Sequence, residues 1–474
     1  MRGLDNESLA ILWHDADSRE ILLRRIVAER LAMNPPPVLE DSIVATYFLA
    51  LRTQTLQKAV EEIAYHATSG IRNPPAGTLL AECTARAVGV DAFDSTRGIG
   101  LLSVAFPLKM MLQPDGHLTS TDLLHTTAAA VIFDVYENQD ARLVSLTIPE
   151  HVIRTFPGPA WGPEGVRQRA GFGAEEPAFG TILKPTAGIT PQQVGELVEE
   201  AAGCPLFLFI KEDEDLYPNL SYSPVAERTR QAVAAIERAK ARTGGRGPIF
   251  APHVTGAPHE ILDTVHAVLE AGATGLMFSE SFAGGTVRMV REATRHRAIP
   301  PAIYGHNAGI GVKTRGVWRE VIDLLARLDG IDFRQTAPVG FGTPFLRPFG
   351  EEWHKSEQVL STPLPGIRPT MIARAGGLDQ GNIVLNMMDV ERRGIASQVL
   401  FLAGSAINSI KDAHGRSEPK IGTEAMHQAI EIHRTGELTH VPPERHVATL
   451  QKIARSRGLK SLETALHQRY SMPH

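Results

Sequence analysis

Several stretches of this 474-residue chain gather residue types that do acid–base or cation chemistry. Lys184 follows the apolar pair Ile182-Leu183 and precedes Pro185, which cannot continue a strand ladder. It is either a positioned amine working as acid or base, or a structural lysine at a strand end. Farther on, Phe209-Ile210 runs straight into Lys211-Glu212-Asp213-Glu214-Asp215. Strand alternation sends Lys211 and Asp213 to one face, with Glu214 where strand gives way to loop. Carboxylates there suit Mg²⁺, a hard cation that takes oxygen ligands, although a solvated acidic loop has the same composition. An ammonium beside that ion repels it. Lys211 therefore joins such a site only with its charge inverted, as a carbamate formed with CO₂, or else it neutralises the acids in place of a metal. His253, the pair Ser279-Glu280 and Gly305-His306-Asn307 close three further apolar runs. A single such histidine is usually a hydrogen-bonded structural group, but two on one rim with two lysines and a carboxylate pair point to catalysis. Gly376-Gly377 and Gly404-Ser405 let backbone amides approach a phosphate, and Arg334 and Asn307 are further candidates for holding substrate or phosphate.

These residues share a rim only if their segments are neighbouring strands. The runs GTILKP from Gly180, LFLFIKED from Leu206, IFAPHVTG from Ile249, GLMFS from Gly275, AIYGH from Ala302, GIDFRQT from Gly330, TMIARAGG from Thr370 and VLFLAGS from Val399 read as eight strands. Helical segments separate them. Thr190-Pro191-Gln192-Gln193 is a capping box with Pro at the first helical position, and Ser223-Pro224 opens another helix. Eight alternating units predict an α/β fold closed as a (β/α)8 TIM barrel over 156–474, with chemistry at the C-terminal strand ends. Residues 42–155 read as a small α+β domain with a mainly antiparallel sheet, and FPGPAWGP from Phe156 is the boundary. Before Ser42, apolar residues at helical spacing predict a two-helix extension over 1–41, closed by Asn34-Pro35-Pro36-Pro37.

Composition narrows the partners. With 48 Lys+Arg against 53 Asp+Glu the formal net charge is -5, which offers no field for nucleic acid or an anionic membrane. No apolar run approaches a membrane span, and the N-terminus does not read as a signal peptide. Cys83 and Cys204 form neither a disulfide framework nor a metal knuckle. A cytoplasmic protein with a small-molecule substrate is expected.

In their order along the chain, GTILKPTAG, FIKEDE, GHN, AGG and AGS, following a small α+β domain, resemble the large subunit of ribulose bisphosphate carboxylase over about residues 42–440. The resemblance implies a ferredoxin-like N-terminal domain, a homodimer or higher homo-oligomer, and one Mg²⁺ per subunit held by carbamylated Lys211, Asp213 and Glu214. It makes Lys184 the acid/base group and has His306 contact the substrate. The departures are equally specific. Thr186 replaces a family lysine, Asn307 an arginine and Ala375 a serine, and Val339-Gly340-Phe341 stands where carboxylases carry Val-Gly-Lys. Ala67-Thr68-Ser69-Gly70-Ile71-Arg72 replaces the Thr-Gly-Thr-Trp that the partner subunit contributes, and the later Asn position falls among Ala128, Ala129 and Ala130. Without the loop cation, CO₂ fixation should fail.

What survives implies a metal-stabilised enediolate on a phosphorylated keto sugar acid. The loss of a carboxylate-binding lysine fits decarboxylation or hydrolytic carbon–carbon cleavage, as of 3-oxo-isoapionate 4-phosphate. Enolase or isomerase chemistry on a methylthio-sugar phosphate, and a non-catalytic sugar-phosphate binding protein, are the alternatives.

Overall fold

The computed structural model describes residues 16–470 apart from 54, 95, 97, 130, 132–137, 280–284 and 342–354. It divides into two compact units. The first holds the described residues up to Pro157 together with Gly309–Asp329 and Pro363–Ile367, and the second holds the remainder.

In the first unit, strand β1 (Ser42–Leu51) is buried along its whole length, because both faces of its sheet are covered. Strands β2 (Arg86–Asp94), β3 (Ile99–Pro107) and β4 (Asn138–Thr147) complete a four-stranded sheet in the order β2-β3-β1-β4. Every pairing is antiparallel, and the order is that of a ferredoxin-like fold. One face carries Tyr47, Leu49, Leu102 and Phe106 against Ala59, Val60 and Ile63 of the helix Leu56–His66 and Val321, Ile322 and Leu325 of the helix Arg319–Asp329. The other carries Phe48, Leu101 and Val144 against Leu22, Leu23, Ile26 and Val27 of the helix Ala16–Met33. Within 16–33 the extension is thus one continuous helix. No Gly or Pro interrupts it, and it stops at Asn34-Pro35. Leu9, Ile11, Leu12 and Glu280 lie outside the described residues.

The second unit is the barrel. All eight apolar runs form strands: β5 (Ala178–Ile182), β6 (Phe207–Lys211), β7 (Ile249–Ala251), β8 (Gly275–Ser279), β9 (Ala302–His306), β10 (Phe333–Thr336), β11 (Met371–Ala375) and β12 (Val399–Ala403). Their pairing is parallel, in the order β8-β9-β10-β11-β12-β5-β6-β7. A bridge between His253 and Met277 joins the two ends. Phe209, Tyr304 and Phe333 fill the interior, with ring centroids 4.6 to 6.2 Å apart, so the barrel is packed rather than hollow. Phe179, Ile210, Phe250, Ile372 and Phe401 point outward onto the helices, including Pro191–Ala202 with its Thr190–Gln193 capping box. Gly180 is required where β5 meets β6, since a Cβ there would lie 2.5 Å from the Phe209 carbonyl oxygen.

Candidate active site

The interior-facing parity that places Phe209 in the barrel core carries on to Lys211 and Asp213, so the end of β6 turns one ammonium and one carboxylate toward the mouth. Lys211 is 0% exposed; its Nζ donates to the Glu212 carbonyl oxygen at 3.0 Å and to Glu214 Oε2 at 3.3 Å. Burial pushes the Lys211 pKa down, against the pull of Glu214 and Asp213. Lys184, just beyond β5 and 31% exposed in its side chain, donates from Nζ to Asp213 Oδ2 at 2.6 Å. The lysine at the first strand end thus pairs with the acid at the second. Burial raises the pKa of Glu214, but Lys211 and Lys184 outweigh it and hold the carboxyl below its ordinary value.

His306, the last residue of β9, completes the cluster: its Nε2 lies 3.2 Å from Glu214 Oε2. Its Nδ1 accepts the Ala308 amide at 3.0 Å, which assigns the proton to Nε2 and aims that proton at Glu214. Burial, with Lys211 nearby, lowers the His306 pKa to about 2, so the imidazole is neutral. Lys184, Lys211, Asp213, Glu214 and His306, drawn from three strand ends, therefore form one connected group.

The other expected residues fall around it unevenly. Asn307 Oδ1 accepts from Gln335 Nε2 at 2.8 Å, and Gln335 Oε1 accepts the Tyr304 hydroxyl at 2.7 Å, beneath the Lys211 ammonium, which lies 5.7 Å from the Tyr304 ring. Gly404 lies beside Lys184: a Cβ at Gly404 would be 3.7 Å from Lys184 Cε. Ser405 begins the short helix that follows, and Asn408 from that helix donates to the Ile182 carbonyl at 2.9 Å. Gly376 and Gly377 are exposed, both at φ +90°, with open space where a Gly376 Cβ would stand. Arg334 has the opposite parity to Phe333 and Gln335. It is wholly buried behind β10, where Gly305 leaves room for its guanidinium. Its charge reaches His306, but strand parity turns it away from the mouth, so it does not join the substrate-facing rim expected of it.

Two features were not expected. Glu212 is no part of a solvated acidic loop: it points outward, fully buried, and accepts from Arg228 Nε at 2.7 Å and Nη2 at 2.9 Å, and from the His253 amide at 3.0 Å. The parity of Glu212, opposite to Lys211, was the available signal. His253 itself is buried, with Nδ1 3.2 Å from the Leu216 carbonyl oxygen, and burial lowers its pKa to about 4.

The donor set can be tested against Mg²⁺. Asp213 and Glu214 supply hard oxygens, while no cluster of three or more His, Cys, Asp or Glu side chains suited to a metal occurs among the described residues. Further oxygens would complete the shell. A buried Lys211 of lowered pKa, touching Glu214, is chemically suited to become a carbamate, so the residues fit the ion.

An eight-stranded parallel barrel together with a four-stranded antiparallel sheet is the architecture of solved rubisco-like proteins. Residues 168–344 match the model described as "Ribulose bisphosphate carboxylase large chain, catalytic domain". The chain is therefore similar to that family, and to proteins named RuBisCO-like, over much of its barrel. It is 32% identical over 217 residues to the 3-oxo-isoapionate-4-phosphate transcarboxylase/hydrolase of Xanthobacter autotrophicus, covering 44% of this chain and 50% of that protein. The match thus spans about half that relative's length. To the 3-oxo-isoapionate-4-phosphate decarboxylase of Rhizobium rhizogenes it is 28% identical over 338 residues, covering 70% and 74%. The solved rubisco-like protein of Alicyclobacillus acidocaldarius superposes with a TM-score of 0.72 at 26% identity, over 90% of this chain and 99% of that one.

Proposed function

We propose that this chain cleaves a carbon–carbon bond in a phosphorylated 3-oxo sugar acid of the 3-oxo-isoapionate 4-phosphate type, by decarboxylation or hydrolysis, in cytoplasmic carbohydrate breakdown, and that it fixes no CO₂. The carrying observation is the Lys184–Asp213, Lys211–Glu214–His306 cluster, found in a chain whose relatives include enzymes named for that substrate. Phe341, half exposed at the position where the resemblance expects a lysine, itself offers no charge to a newly added carboxylate.

Asp213, Glu214 and Lys211 as its carbamate would hold one Mg²⁺, which would supply Lewis-acid stabilisation to negative charge developing on the substrate. The chain's own groups do the rest. Carbamylation joins the neutral Lys211 amine to CO₂ and releases one proton, replacing a cation with an anion between the two acids. In decarboxylation the C1–C2 bond breaks, its electron pair moves into the C3 carbonyl to give an enediolate, and CO₂ departs. Lys184, at the mouth, then delivers a proton from Nζ to C2. His306 presents a neutral Nε2–H that orients Glu214. Asn307, Gly376, Gly377, Gly404 and Ser405 hold the substrate, the glycine loops on its phosphate. Incubation of the protein with Mg²⁺, bicarbonate and 3-oxo-isoapionate 4-phosphate tests the reading by CO₂ release and by NMR of the product. Solvent deuterium entering the substrate without cleavage would make it an enolase or isomerase instead.

A further inference from the structure

We propose that Asp379, held by Arg469 and Tyr470, is a positioning residue for the glycine loop that follows β11, so that the helix Lys460–Tyr470 sets the affinity of the site for a phosphate monoester. The assignment rests on the proposed phosphate role of Gly376-Gly377. Those two glycines are exposed and left-handed, a conformation with no intrinsic bias that fixes it. The next residues, Leu378, Asp379 and Gln380, are buried, and the last two are hydrogen-bonded.

Asp379 is the hub. Its Oδ1 accepts the amides of Gly381 at 2.8 Å and Asn382 at 3.1 Å, and its own amide donates to Asn382 Oδ1 at 2.9 Å. Asn382 then donates from Nδ2 to the Gly377 carbonyl at 2.8 Å, reaching the glycine pair itself. From outside the loop, the Tyr470 hydroxyl donates to Oδ1 at 2.7 Å and lies 2.9 Å from Oδ2, and Arg469 Nε donates to Oδ2 at 3.0 Å. A Cβ on Gly381 would be 2.5 Å from the Tyr470 hydroxyl oxygen, so the loop is shaped to let that ring in. Gln380 ties the same loop to the other glycine loop, donating from Nε2 to the Ala406 carbonyl at 2.7 Å. The barrel strands need none of these bonds. Their effect is to hold Gly377 in one conformation and in register with the loop after β12.

Titration with inorganic phosphate by calorimetry tests this, alongside KM and kcat on the phosphorylated keto acid. Tyr470→Phe removes one hydrogen bond from a buried carboxylate and is expected to weaken phosphate binding and raise KM together, by about 3- to 10-fold, with kcat and carbamylation of Lys211 unchanged. Asp379→Asn, which keeps the side-chain shape, should weaken phosphate binding further. Gly377→Ala, strained at φ +90°, should abolish it. A melting temperature that falls in Tyr470→Phe while phosphate affinity stays at the wild-type value would overturn the proposal, as would phosphate binding that survives in Gly377→Ala. Failure to release CO₂ from any keto acid, with the phosphate pattern intact, would refute the reaction and leave the positioning role standing.

Discussion

Lys184 and His306 compete for the proton-transfer role, and their surroundings separate them. Lys184 Nζ sits at the partly exposed edge of the cluster, while His306 has both ring nitrogens committed, to the Ala308 amide and to Glu214, and is neutral far below physiological pH. A group so hard to protonate is a poor proton donor, so Lys184→Met should lower kcat by about 10²- to 10⁴-fold with Mg²⁺ binding intact, as steady-state kinetics and calorimetry would show. Exchange of solvent deuterium persisting in Lys184→Met but lost in His306→Ala would reverse the roles. At Lys211 the sign of the pH dependence follows from burial. Only the neutral amine adds CO₂, and burial lowers the pKa, so the carbamate-forming fraction grows with pH and reaches half below the ordinary lysine value of about 10.4. Activation by CO₂ should therefore strengthen as pH rises, with ¹³C NMR of labelled carbamate tracking it. Lys211→Ala should be inactive at every pH.

The end of β6 serves both of its faces, and the outer one answers for stability. Glu212 and Arg228 are both fully buried and bonded bidentately, so Arg228→Met should strand a buried carboxylate at about 3–5 kcal/mol, read by denaturant unfolding. Glu212→Gln combined with Arg228→Met should recover much of that loss; an additive double variant would show that the two do not act as a pair. The same strand marks how far the sequence could be read. Parallel strands buried on both faces appear as apolar runs, which is why all eight were legible and their ends with them. Lys211 and Asp213 followed from alternation. Glu212 did not, because five consecutive ionisable residues look like a solvated loop until a partner arrives from the helix Val225–Lys240. Arg334 misled for a related reason: an arginine near a strand end suggests the mouth, but Gly305 on the neighbouring strand opens a space behind it. The helix Ala16–Met33 was visible, but its burial against Phe48 and Val144 depended on a sheet whose second face no local pattern revealed.

At the scale of the whole molecule, the departures from the carboxylases govern what the protein is expected not to do and how it should assemble. Phe341 and Asn307 remove two cations that a bisphosphate carboxylase would use, so labelled bicarbonate with ribulose bisphosphate should give no incorporation above an enzyme-free blank. Assembly follows from the segment that stands in place of the family's partner-contributed Thr-Gly-Thr-Trp. There Ile71 is 51% exposed, and a few residues on Leu79 is 64% exposed with Leu80 also exposed, apolar side chains that a monomer would leave in water. In the same segment Arg72 stacks over Tyr65 at 4.4 Å, a cation–aromatic pair of the kind enriched at interfaces. We therefore expect a homodimer or a multiple of one by light scattering at micromolar concentration. Leu79→Glu should shift it toward monomer, since burying a carboxylate in an interface costs its hydration. If the segment also helps close a neighbour's barrel, activity should fall with the dimer fraction on dilution, and mixing inactive Leu79→Glu with inactive Lys184→Met should restore part of it. A wild-type monomer active at full rate would show instead that each chain completes its own site.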